Sequence, residues 1–121
     1  MKTYALENVA TGEILAHDVK QARSPWLRAV GFLSATTVTP EEGLWFDDCG
    51  AIHTIGMRAN LDIIFLDREH IVIGIMLCVP PNRVWLSWPS ARAVVELGVS
   101  EVRRVRVGET LRLRSDGPPG C

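Results

Sequence analysis

A chain of 121 residues fits one domain. With 47% hydrophobic and 22% charged residues it can bury a core, which excludes a disordered polymer. A formal charge of -1, from 13 basic and 14 acidic residues, supplies no bulk attraction for nucleic acid or anionic lipid. No apolar run reaches the roughly 18 residues of a membrane-spanning helix.

In chain order, "MKTYALENVATGEILAH" lacks the apolar stretch of a secretory signal and meets Glu7 early, so the expected compartment is the cytoplasm. "TYALENV" and "EILAHDV" flank Ala10-Thr11-Gly12, a short connection ending in the glycine that a bulged hairpin needs. "SPWLRAVGFLS" follows. Ser24 can cap, Pro25 suits the first helical position, and Trp26, Leu27, Val30 and Leu33 recur near helical spacing, which predicts a short helix. "DIIFLD" and "IVIGIMLCV" flank Arg68-Glu69-His70 and predict a second antiparallel hairpin. Apolar residues on both faces of 62–66 place that strand centrally. "AVVEL" and "ETLRLR" read as strands, with a helical turn expected from Ser100 in "SEVRR". Seven or so short strands with one or two small helices predict a mostly β fold, a small single-domain barrel or sandwich over 1–114. Residues 115–121, "SDGPPGC", read as a mobile tail.

The stretch "EEGLWFDDCGAIHTIGMRANLDIIFLDRE", then "VPPNR", "AVVELG" and "VGETLRL", resembles the domain-of-unknown-function 192 family of small prokaryotic proteins. The likeness runs from about Arg28 to Leu113 and includes a loose match at "RAVGFL". It implies a compact β-rich fold like a jelly roll or small barrel, and it implies no activity. Asn60 stands where the family usually has proline, and Pro81-Asn82-Arg83 replaces its usual Pro-Trp-Arg. The resemblance sets His53-Thr54 beside the Met57-Arg58 turn and the Pro-Pro-Asn-Arg loop. It thereby implies a ligand cleft drawing on His53, Thr54, Met57, Arg58, Asp62 and Arg83.

The residues themselves allow other readings. If "CGAIHTIGM" is extended, Cys49 and His53 share a face but lie roughly 13 Å apart, beyond the reach of a nucleophile and its base. A small buried cysteine beside a histidine bonded to backbone is the reading favoured for that pair. A metal site would draw on Cys49, His53 and Asp62 with Cys78 or His70, but the sequence has no close ligand pair, and no metal or other cofactor is expected. Cys49, Cys78 and Cys121 form neither a disulfide framework nor a metal knuckle. Asp62 is expected to accept backbone N–H groups of the Arg58-Ala59-Asn60 turn, and Glu96 to find Arg58 or Arg83. His53, between Ile52 and Ile55, is expected to lose part of its ring to burial. Trp85 and Trp88 should face opposite ways, and the arginines from Arg103 to Arg114 read as a solvated face. No phosphate loop, nucleophile elbow or zinc-protease motif is present.

The expectation is therefore a domain that binds a small ligand or a protein partner through a cleft near His53, with no nucleic-acid or membrane partner. The alternatives are a hydrolase using Cys49 or a metal held by His53, and a purely structural or regulatory interaction module.

Overall fold

A computed structural model describes residues 2–22, 37–55 and 57–115. Among them are nine strands: β1 (Tyr4–Asn8), β2 (Ile14–Gln21), β3 (Glu42–Asp47), β4 (Ala51–Ile52), β5 (Leu61–Leu66), β6 (Val72–Val79), β7 (Leu86–Ser87), β8 (Ala93–Gly98) and β9 (Leu111–Arg114). Seven form one sheet in the order β6-β5-β8-β3-β2-β1-β9, and β4 and β7 form a separate pair. All pairings are antiparallel except β2 with β3.

Both expected hairpins form. Gly12, at φ +74°, closes the first, with its N–H on the Asn8 carbonyl at 2.8 Å. In the second, β5 is buried along its whole length. Ile64 and Leu66 enter one core cluster, whereas Leu61, Ile63 and Phe65 enter another on the opposite face. The chain is all-β and sandwich-like among its described residues. The helix expected over 24–34 and the tail expected over 115–121, apart from Ser115, lie outside those residues. The helical turn expected at Ser100 does not form. Instead Ser100 Oγ accepts the N–H groups of Val102 and Arg103 in a tight bend, a local bond that competes with helix.

The first core cluster takes residues from all seven strands of the sheet, from Leu6 on β1 to Leu111 on β9. The sheet curls around this cluster, because its two outermost strands come back into contact. The two edge strands meet at one place, where Ile71 bridges Thr110 and Val72 N–H reaches the Glu109 carbonyl at 2.8 Å. Beyond that contact β6 and the segment before β9 separate, so no closed barrel results. The convex face carries the second cluster, covered by β4, β7 and Trp88. Trp88 lies so close over Gly74 that a Cβ there would come within 2.2 Å of the indole, and it packs on Phe65 at 5.8 Å between ring centroids.

Candidate functional site

The residues expected around His53 fall into separate environments. The extended run from Cys49 stops after Ile52, and Met57 N–H returns to the Thr54 carbonyl at 3.1 Å. His53 is exposed rather than partly buried, and its Nδ1 accepts the N–H of Ile55 within its own turn at 3.3 Å. Thr54 is the buried member. Its Oγ1 donates to the Pro80 carbonyl and accepts from Arg83 N–H, both at 2.9 Å, while its carbonyl accepts from Asn82 and Met57 N–H. Thr54 thus pins the turn to the Pro80–Arg83 loop. Met57 is buried in the convex cluster, whereas the Arg58 and Arg83 residues are exposed. Cys49 is half-buried rather than fully buried, and its thiol donates to the Ala51 carbonyl at 3.1 Å.

Asp62 does accept backbone N–H groups, but from other segments than the Arg58–Asn60 turn. Its carboxylate takes Cys78 N–H at 2.9 Å, Ser100 N–H at 3.2 Å and the Arg103 guanidinium at 2.9 Å. Arg103 also donates to the carbonyls of Pro40 and Gly98 at 2.7 and 2.9 Å. Both side chains of this ion pair are only 4% exposed, so Arg103 does not belong to a solvated basic face. Burial lowers the Arg103 pKa, and the charge of Asp62 opposes that shift. Four chain segments meet at this pair, around Pro40, Asp62, Cys78 and 98–103, and removing one partner would leave an uncompensated charge in the protein.

The pair lies where the curled sheet fails to close. Above it opens a cavity of about 530 Å³, within the size range of ligand sites. Ile64, Ile75, Leu77, Val99 and Val105 give it apolar walls. Asp62, Ser100 and Arg103 form one polar corner, with Cys78 and Glu101 also lining the space. Leu77 is 70% exposed, an unusual placement for leucine on a strand. Cys78 is exposed and held at φ +52°, where β6 bulges opposite Asp62. Of the residues expected to line a cleft, Asp62 alone borders this cavity. Nothing in the sequence singles out Arg103, because one arginine among several in a polar stretch carries no mark of burial.

A second hollow of about 340 Å³ is polar and includes Asp47, Asp67 and His70. Its carboxylates are already engaged. Asp47 accepts from Trp45 Nε1 and Gln21 Nε2, both at 2.8 Å, and Asp67 accepts Glu69 and Ile71 N–H. Among the described residues no group of three or more His, Cys, Asp or Glu side chains is placed to hold a metal ion. No described helix is long and apolar enough to cross a membrane.

Glu96 lies on the convex face of β8, between Leu44 of β3 and Ile63 of β5. It is buried, and neither Arg58 nor Arg83 pairs with it. Burial pushes its carboxyl up to about 7.

Among the described residues the architecture is all-β, with one curled mixed sheet and a small covering pair. The sequence pattern of DUF192, Uncharacterized ACR, matches residues 6–114, and the chain belongs to that family. Two solved structures share the fold. One is a protein of unknown function from Novosphingobium aromaticivorans, with a TM-score of 0.73 and 20% identity, covering 90% of this chain and 82% of that one. The other is a "putative transcription regulator" from Sinorhizobium meliloti, with a TM-score of 0.72 and 23% identity, covering 93% of this chain and 97% of that one. No curated protein matches the chain.

Proposed function

We propose that this protein is a binding module that takes an apolar ligand in the cavity on the open side of its curled sheet. The observation that carries the reading is the position of that cavity. It opens where β6 parts from the segment before β9, and apolar side chains converge there on a single polar corner. Such a corner orients a ligand while the walls supply affinity. The groups that a hydrolase would use turn elsewhere. The Cys49 thiol donates to a carbonyl two residues on, and His53 faces its own backbone turn.

Leu77→Asp tests the reading. Leu77 is mostly exposed, so the change should leave folding intact while placing a charge on the cavity wall. A neutral fluorescent probe, N-phenyl-1-naphthylamine, should bind the native protein and bind the variant about tenfold or more weakly, since losing one leucine wall is worth roughly 1.5 kcal/mol. Equal affinity for both folded proteins would refute the assignment.

A further inference from the structure

An apolar cavity can hold a compact molecule or an extended one, and the backbone beside this cavity distinguishes them. β6 is an edge strand of the sheet. Its sequence, Val72 to Val79, contains no charged residue and no proline, so it lacks the devices by which edge strands usually discourage pairing, apart from a bulge at Leu77–Cys78.

The direction of its free hydrogen-bonding groups follows from the register. Leu66 turns its carbonyl toward the Arg92 N–H, on the β8 side of β5. Ile64, two residues earlier, turns the same way. Their partners on β6, Val72 and Ile75, therefore point their N–H and C=O groups away from β5. Val72 uses both, with Glu109 and Gly108. Ile75 has no hydrogen-bond partner for either group on that outer side among the described residues, while its side chain lines the cavity. An unpaired strand edge and an apolar hollow thus share one residue.

Charge narrows the occupant further. Among the cavity-lining residues, Asp62 and Arg103 neutralise each other, and Glu101 is an exposed carboxylate with no partner among the described residues.

We infer that the cavity receives an extended apolar peptide segment carrying one basic residue, which adds as a short strand to β6 at Ile75. This rests on the reading of the cavity as a binding site and names its ligand class. Hydrogen bonds to Ile75 would hold the peptide backbone, alternate apolar side chains would fill the walls, and the basic group would meet Glu101. The edge between Val72 and the bulge accommodates about three to five residues at a strand's rise of ~3.3 Å each.

The test uses the peptide acetyl-Val-Thr-Val-Thr-Lys-amide, which puts its valines and lysine on one face. A second peptide is N-methylated at the middle valine and cannot donate there, and a third carries glutamate in place of lysine. The parent peptide should displace N-phenyl-1-naphthylamine and slow exchange of the Ile75 amide about tenfold or more. Both altered peptides should bind about tenfold more weakly, a difference of about 1.4 kcal/mol. If the probe occupies the cavity but the parent peptide neither displaces it nor protects Ile75, the peptide inference fails and the cavity reading stands. Equal binding of all three peptides would also overturn the inference. If neither probe nor peptide binds, both readings fall.

Discussion

Glu96 presents the sharpest conflict between a side chain and its surroundings. A buried carboxyl favours the protonated form, so its pKa rises from 4.5 to about 7 in the folded chain. The sign of the linkage follows. Between these values the folded state holds a proton that the unfolded state has lost, so stability falls as pH rises from about 4.5 to about 7 and then levels. A rise of this size corresponds to at most about 3 kcal/mol. Urea unfolding at pH 5 and pH 8 should show the native protein weakening toward pH 8, with much of that loss removed in Glu96→Gln. An identical pH dependence in both proteins would show that Glu96 is already compensated. In sequence, "AVVEL" announces a carboxylate in an apolar strand. It does not announce that Arg58 and Arg83 are turned to solvent, because their orientation depends on contacts far along the chain.

The hairpins were the most legible elements because their signals are local. Gly12 supplies a positive φ, and the alternating apolar faces of 62–66 specify a strand covered on both sides. β3 was harder to see. Leu44, Trp45 and Phe46 form a continuous apolar run too short to separate a central strand from other buried structure. The break after β4 is not legible either, since periodicity cannot reveal where an extended run ends, and it leaves His53 exposed and Thr54 buried. Tertiary bonding makes Thr54 the pinning residue. Thr54→Val keeps the shape but leaves the Pro80 carbonyl and Arg83 N–H without their side-chain partner, at a cost of about 1–3 kcal/mol. His53→Ala should change stability by no more than about 0.5 kcal/mol, as an exposed side chain does. Chemical denaturation of the two variants checks the order. A large loss for His53→Ala with none for Thr54→Val would reverse the roles given to these neighbours.

At the scale of the whole molecule, the composition and strand pattern disclosed an all-β chain, but not how its sheet ends. Closure depends on whether β6 and β9 pair along their length or touch only near Ile71 and Thr110, a non-local question that no short motif answers. The candidate site is a consequence of that partial closure. It joins Asp62, whose place at the head of an apolar strand is legible in the sequence, with Arg103, whose sequence neighbours mark a solvated face. The most direct measurement is a methyl-labelled NMR titration with N-phenyl-1-naphthylamine, following isoleucine, leucine, valine and methionine side chains together. Ile64, Ile75, Leu77, Val99 and Val105 should shift as one saturable set, while Ile52 and Met57, beside the turn after His53, remain unchanged. Saturable shifts confined to Ile52 and Met57, with the cavity methyls unmoved, would contradict the account.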